Sequence, residues 1–112
     1  MTQKGGCHCG KIAFEVEGEI PDVMECNCSI CAKRGYLHWF VPSGQLRLKT
    51  PAANVASYTF MTGKYQHQFC PNCGCAPFVT ATDGSGVAVN VRCLEGVDTS
   101  KLKVNPFDGR SL

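Results

Sequence analysis

Eight of the nine cysteines in this 112-residue chain fall into three short clusters, and this grouping constrains the fold more than any other feature. The clusters read Cys-His-Cys at 7–9, Cys-Asn-Cys-Ser-Ile-Cys at 26–31 and Cys-Pro-Asn-Cys-Gly-Cys at 70–75. Close cysteine pairs form disulfides in an oxidising compartment and bind metal in a reducing one. The odd total argues against a complete disulfide framework, so the compartment decides the interpretation.

The start of the chain favours a reducing compartment. No apolar run long enough for a signal peptide precedes the first cluster, which begins at Cys7. The roughly 20 consecutive apolar residues of a membrane span are also missing from the sequence. We therefore predict a cytoplasmic protein with no membrane partner, in which the cysteine clusters bind metal.

The length and charge of the chain limit its organisation and its partners. A single domain over residues 1–112 is expected for a chain of this size. The formal charge of +2 falls to about −1 if seven cysteines bind two zinc ions as thiolates, and the lysines and arginines form no basic stripe. Nucleic acid is therefore not an expected partner, and the oligomeric state is left open.

Short segments of alternating apolar and polar residues predict strands, and no segment has the length and period of a long amphipathic helix. Ser29 is predicted to cap a helix of one or two turns that Gly35 ends. Residues 105–109 are predicted to form a tail that crosses the surface and pins Phe107. We therefore predict an all-β fold, a small single domain of antiparallel sheets, with strands at 12–17, 23–25, 37–41, 45–50, 56–60, 65–70, 76–82 and 87–93.

The first and third clusters together supply the ligands of a closed metal site. A Cys-x-x-Cys-Gly turn such as Cys70 to Gly74 holds two sulfurs at the spacing that zinc requires. The pair formed by Cys7 and Cys9 is the natural second half. Four cysteine ligands leave no open position, so Cys7, Cys9, Cys70 and Cys73 predict a structural zinc site.

The central cluster has three cysteines and no fourth ligand nearby in the sequence. A zinc ion with three protein ligands and an open position is the catalytic arrangement, which makes Cys26, Cys28 and Cys31 candidate ligands of a catalytic zinc. Three thiolates already donate charge to the metal, so such a site is better suited to binding another thiol than to ionising water. Alternatively, Cys75 or Cys93 fills the fourth position and the second site is structural too.

Ordinary structural roles account for several other residues of chemical interest. A redox Cys-x-x-Cys motif needs a βαβ context that this sequence does not supply. His8 is expected to point away from the metal that its two neighbours share. Histidines in strand-like runs are most often ordinary buried or surface residues, which is the reading for His38 and His67. The remaining residues are expected to form core, pocket wall or solvent-facing surface: Trp39, Phe40 and Arg92.

With the clusters placed, the sequence resembles the glutathione-dependent formaldehyde-activating family, which also contains centromere protein V. The matching motifs are Gly-Cys-His-Cys-Gly at 6–10, Cys-Asn-Cys-Ser-Ile-Cys at 26–31, Phe-Cys-Pro-Asn-Cys-Gly at 69–74 and Val-Arg at 91–92. This resemblance covers nearly the whole chain, and the order and spacing of its three cysteine clusters are specific.

The resemblance implies a fold of packed antiparallel sheets of the Mss4-like type with two zinc ions. One would be structural, on Cys7, Cys9, Cys70 and Cys73, and the other catalytic, on the cysteines of the central cluster. It also implies the family's named reaction, addition of the glutathione thiol to formaldehyde, which run backwards is a carbon–sulfur lyase reaction. The competing hypothesis is a non-catalytic binding module in which both zinc ions are structural.

Overall fold

The protein consists of short strands and a single short α-helix in the part of the chain that the structure describes. This computed structural model describes residues 1–59 and 62–111. The helix α1 spans Ser29–Arg34. The strands are β1 (Thr2–Gly6), β2 (Ala13–Glu17), β3 (Val23–Cys26), β4 (His38–Val41), β5 (Leu46–Leu48), β6 (Ala56–Tyr58), β7 (Tyr65–Phe69), β8 (Phe78–Ala81), β9 (Val87–Asn90) and β10 (Val104–Phe107).

The strands form two sheets. The smaller sheet has the order β1-β2-β5, and the larger one has the order β10-β3-β4-β9-β8-β7-β6. All neighbouring strands run antiparallel except β10, which pairs in parallel with β3 so that Phe107 lies opposite Cys26. The all-β fold of packed sheets predicted from the sequence is therefore confirmed, with one parallel pair at its edge.

The main core lies between the two sheets. Phe14 and Val16 of β2 are almost fully buried and belong to the same apolar cluster as Trp39 of β4 and Val89 of β9. The rings of Phe14 and Phe78 meet edge to face, with 5.4 Å between their centroids. Since burial of apolar side chains is the main force that stabilises a small domain, this contact surface holds the two sheets together.

The outer face of the larger sheet carries a second, smaller cluster. Successive side chains of a strand point to opposite faces, so His38 and Phe40 lie on the outer face while their neighbours Trp39 and Val41 point into the core. Helix α1 lies beside this face. The buried members of the second cluster include two of the central cysteines: Cys26, Cys31, Tyr36, Val79 and Ala88.

Two local predictions, the end of the strand at 87–93 and the N-cap of α1, were wrong. The strand predicted at 87–93 ends at Asn90, whose side-chain oxygen accepts a hydrogen bond from the Arg92 N–H and starts a 3-10 turn. Cys93 therefore lies in this turn rather than in the strand. Cys28, not Ser29, is the N-cap of α1, although Gly35 ends this helix as predicted, with a φ of 69°.

The predicted tail at 105–109 contributes strand β10, and Phe107 is 42% exposed rather than pinned. Strand β1 lies outside the predicted set, since its polar and glycine-rich sequence has no strand pattern. The last residue of the predicted strand at 56–60 lies outside the described residues. In the part of the chain that is described, no helix is long and apolar enough to cross a membrane.

Candidate metal centres

The sulfur atoms of Cys7, Cys9, Cys70 and Cys73 form one group in which every pair lies within 4.8 Å. The Sγ of Cys9 lies 3.7 Å from the Sγ of Cys7 and 3.6 Å from that of Cys70. A tetrahedron with zinc–sulfur bonds of 2.3 Å has sulfur–sulfur edges of about 3.8 Å. The spacing of these four thiols therefore fits a zinc ion, and the group joins the N-terminal cluster to the turn after β7.

Two tight turns bring these sulfurs together. The Gly74 N–H donates to the Cys70 carbonyl oxygen at 2.8 Å, and Gly74 adopts a φ of 84° that favours glycine. On the other side, the Ile12 N–H donates to the Cys7 sulfur at 3.3 Å. Backbone donors of this kind stabilise thiolates and orient them toward a metal.

Hydrogen bonds favour the ionised form of two thiols of this group, Cys73 and Cys9. The N–H groups of Cys75 and Cys9 lower the pKa of the Cys73 thiol to about 5. A hydrogen bond with the Asn72 side chain lowers the pKa of Cys9 in the same way. Because metals bind thiolates, these shifts favour metal binding at neutral pH.

The three sulfurs of Cys26, Cys28 and Cys31 form a second group with the same limit of 4.8 Å. Cys26 ends β3, Cys28 caps α1, and Cys31 lies in the first turn of that helix. The Cys28 N–H donates to the Cys26 sulfur at 3.4 Å. The group is thus built by the short connection from a strand to a helix, and its sulfurs fit a metal that takes three thiolates.

Burial differs among these three thiols, and the pKa values of Cys31 and Cys28 are shifted in opposite directions. Cys26 and Cys31 are buried, whereas Cys28 is half-buried. Desolvation raises the pKa of the Cys31 thiol, and the neighbouring Cys28 and Cys26 raise it further. For Cys28, desolvation is outweighed by hydrogen bonds that include the Cys31 N–H, and its pKa is lowered. A bound cation would therefore be needed for all three sulfurs to be ionised together.

The C-terminal segment closes one side of the three-cysteine group. The Asn27 side chain donates to the Asp108 carboxylate at 2.9 Å and accepts from the Arg110 N–H at 2.9 Å. Gly109 lies so close that a Cβ atom at this position would be 2.5 Å from the Cys26 sulfur. A side chain at position 109 therefore has no room, and the segment is held against the site.

His38 also contacts this group, which sequence reasoning did not anticipate. Its Nε2 atom lies 3.4 Å from the Cys31 sulfur, and the ring is stacked on Tyr36 with 4.9 Å between centroids. Burial lowers the pKa of His38 to about 4, with His67 adding to the effect, so the imidazole is neutral at neutral pH. The position of His38, seven residues after Cys31 in the next strand, is the only signal that the sequence contains.

The two remaining cysteines do not complete the three-cysteine group. Among residues 1–59 and 62–111, that group contains no fourth Cys, His, Asp or Glu within 4.8 Å of all its members. Burial raises the pKa of Cys93 to about 11, and the thiols of Cys75, Cys7 and Cys73 add to this shift. The Cys70 N–H donates to the Cys75 carbonyl oxygen at 2.9 Å, which places the Cys75 backbone beside the four-cysteine group, and the Cys93 sulfur lies 3.8 Å from the Ala76 carbonyl oxygen.

The other residues singled out in the sequence lie in the core or at the surface, as expected for ordinary structural roles. His8 is exposed, and Trp39 is in the core. Arg92 donates from Nε to the Gly35 carbonyl oxygen at 3.0 Å, at the end of α1. His67 is buried, with its ring 6.1 Å from that of Tyr36.

Comparisons with known proteins agree with this arrangement. The family model described as glutathione-dependent formaldehyde-activating enzyme matches residues 2–107. Among solved structures, a protein of Rhodobacter sphaeroides determined as a structural-genomics target matches with a TM-score of 0.80 and 32% sequence identity. The match covers 91% of this chain and 99% of the other. The similarity thus extends over both cysteine groups and nearly the whole fold.

Proposed function

Because the chain belongs to the family of glutathione-dependent formaldehyde-activating enzymes, we propose that it is a zinc-dependent carbon–sulfur lyase. Its substrate class is the adduct of a thiol and an aldehyde, of which S-hydroxymethylglutathione, formed from glutathione and formaldehyde, is the example that the family name suggests. Cys26, Cys28 and Cys31 are the proposed ligands of the catalytic zinc. Cys7, Cys9, Cys70 and Cys73 are the proposed ligands of the structural zinc.

The observation that carries the proposal is the difference between the two cysteine groups. One has four sulfurs at tetrahedral spacing, and the other has three, with no fourth cysteine among the described residues. Structural zinc sites are closed, whereas catalytic sites keep a position for substrate. The half-buried Cys28 marks the more accessible side of the three-cysteine group.

A zinc ion in the three-cysteine site would lower the pKa of a thiol that takes its fourth position, so that this thiol is ionised at neutral pH. In the direction of synthesis, a sulfur electron pair forms the new bond to the carbonyl carbon. The carbonyl π pair moves to oxygen, which takes a proton from water to become the hydroxyl group. The proton that the thiol loses on ionisation goes to solvent, which balances the proton that the oxygen takes up. In the lyase direction the hydroxyl proton goes to solvent, the same carbon–sulfur bond breaks and the released thiolate takes up a proton, so no oxidant or reductant is needed.

The chain's own residues orient one ligand sulfur and limit water at the site. The neutral His38 side chain has one N–H, and its Nε2 atom is within reach of the Cys31 sulfur. A hydrogen bond from this N–H to the Cys31 sulfur would stabilise the thiolate form of Cys31 and fix the orientation of its side chain. The turn at 109–111 packs against both Cys26 and Cys28, because a Cβ atom at Gly109 would be 2.5 Å from the Cys26 sulfur and 3.3 Å from the Cys28 Cβ atom. The turn therefore limits solvent on that side of the group.

Exchange spectroscopy by NMR tests the proposal. The rate of exchange between formaldehyde, glutathione and their adduct is measured with the native protein, with Cys28→Ser and with Cys75→Ser. We expect faster exchange with the native protein than in buffer, loss of the gain in Cys28→Ser, and retention in Cys75→Ser. Equal rates with and without native protein, for every thiol tried, would favour the non-catalytic binding module instead.

A further inference from the structure

A groove of about 390 Å³ opens on the outer face of the larger sheet, next to the three-cysteine group. Its walls come from the edge strand β10 and from β3 and β4, the next two strands of the sheet. Ligand pockets for small molecules begin at about 300 Å³, so the groove has room for a ring-sized group.

Two lining residues of the groove are also neighbours of the three-cysteine group. His38 lines the groove and also approaches the Cys31 sulfur to 3.4 Å. Phe107 lies opposite Cys26 in the parallel strand pair. A Cβ atom at Gly109 would be 3.6 Å from the Phe107 ring and 2.5 Å from the Cys26 sulfur, so these two side chains flank one glycine.

The lining is mostly apolar, with Asp22, His38 and Asn105 as its polar members. Phe40 and Phe107 are 60% and 42% exposed, and Met24 lies between their strands. The charged member of the lining is Asp22, which faces Lys103 at 3.9 Å. No lysine or arginine of the described residues belongs to the lining. Glutathione carries two carboxylates and an ammonium group at neutral pH, so this groove offers nothing that would neutralise its carboxylates.

We propose that the groove binds an apolar, ring-sized substituent of the thiol–aldehyde adduct, so that the preferred substrates carry an aromatic or branched aliphatic group near the sulfur. This inference rests on the proposed function, because the reacting sulfur is placed by the three-cysteine site. Exposed aromatic side chains beside a reactive centre increase the affinity for a ligand when they cover its apolar surface. Phe40 and Phe107 supply that surface on the two sides of the groove.

Calorimetric titration of the zinc-loaded protein tests the groove with a matched pair of thiols. Ethanethiol and 2-phenylethanethiol differ by one ring, and glutathione serves as the charged comparison. We expect 2-phenylethanethiol to bind at least about tenfold more tightly than ethanethiol. Glutathione should not show this increase in affinity over ethanethiol. Replacing Phe40 by threonine should remove roughly tenfold of the affinity for the aromatic thiol and leave the affinity for ethanethiol unchanged.

The chain offers a close control for this substitution. Tyr65 is an exposed aromatic residue of the same sheet, 58% exposed and outside the groove. Tyr65→Thr should change none of the affinities. Phe40→Thr alters a largely exposed strand position and should melt near the native temperature.

A second arm tests whether the apolar group enters on the aldehyde. With glutathione fixed, adduct formation with phenylacetaldehyde and with formaldehyde is compared in the native protein and in Phe40→Thr. A selective loss for phenylacetaldehyde supports the groove and assigns the apolar group to the aldehyde half. The groove proposal would be overturned if the aromatic ring changed thiol affinity and adduct formation by the same factor in the native protein and in Phe40→Thr. The proposed function would remain intact in that case.

Two further outcomes separate the possible failures. If no thiol of any kind binds the zinc-loaded protein, the proposed function fails first. If sedimentation shows a native dimer that Phe40→Thr dissociates and Tyr65→Thr does not, a second copy of the chain occupies the groove and the substrate proposal is wrong.

Discussion

The Nε2 atom of His38 lies 3.4 Å from the Sγ atom of Cys31, and both side chains are buried. A neutral imidazole has one N–H, and no described group accepts from or donates to its Nδ1 atom. The tautomer with its proton on Nε2 therefore gives the Cys31 thiolate a hydrogen bond in a place that water does not reach.

We expect His38→Phe to weaken metal binding at the three-cysteine site by about 10- to 100-fold, because hydrogen bonds of this kind orient and stabilise a ligand. His38→Gln keeps a donor group and should lose less. Competition with a chromophoric chelator measures the affinity, and the four-cysteine site provides the internal reference. Equal affinities in His38→Phe and the native protein would show that the contact does not support the metal.

The close approach of Gly109 to Cys26 makes a second prediction. A Cβ atom at position 109 would lie 2.5 Å from the Cys26 sulfur, so Gly109→Ala must displace the C-terminal turn or the cysteine. Overpacking of this kind costs about 1–3 kcal/mol, so metal affinity at the three-cysteine site should fall roughly five- to a hundredfold. Gly44→Ala is the control, since nothing lies within 4 Å of a Cβ atom there and its φ is not positive.

The two metal centres should differ in their effect on folding. Cys73→Ser removes a ligand from the group that ties the N-terminal cluster to the turn after β7, and we expect it to abolish cooperative melting. Binding of a structural zinc contributes a free energy comparable to the whole stability of a small domain. Cys28→Ser should lose one zinc per chain and still melt cooperatively, because the main core does not include Cys28. Thermal melting combined with metal analysis checks both; unfolding of Cys28→Ser would make the second site structural as well.

The thiol of Cys93 should react slowly with alkylating reagents near neutral pH. Its pKa is raised to about 11, mainly by burial. The thiolate, which is the reactive form, is therefore only about 0.03% of the population at pH 7.5. Because the pKa lies above this range, alkylation of Cys93 should accelerate about tenfold for each pH unit between 7.5 and 9.5. Peptide mapping after pulses of iodoacetamide measures the rate, and fast labelling at pH 7.5 would contradict the burial argument.

The sequence predicts well those features that are local in the chain. The cysteine spacing fixes two turns and one strand-to-helix connection, and these elements present their sulfurs in the same groups as predicted. Alternation in segments such as 37–41 and 65–70 locates strands because one face of each must be buried. Gly35 marks a helix end through its backbone preference alone.

Features that depend on long-range pairing could not be predicted in this way. Strands β1 and β10 owe their existence to their neighbours: β1 pairs with β2, and β10 adds in parallel to β3. His38 reaches Cys31 only because β4 lies beside β3 in the larger sheet. Gly109 meets Cys26 across most of the chain length. Neither contact leaves a periodic signal in the sequence, since both are properties of the assembled sheet.

The central claim is that the three-cysteine site holds a metal with a position free for a thiol, and cadmium-113 NMR of the cadmium-loaded protein tests it most directly. Each site gives its own resonance, whose position depends on the number of sulfur ligands. On addition of a thiol, we predict that one resonance moves in the direction of an added sulfur and the other stays in place. The moving resonance should be absent from Cys28→Ser. The account would be contradicted if both resonances lay at the position of a metal with four protein ligands and neither shifted on addition of the thiol.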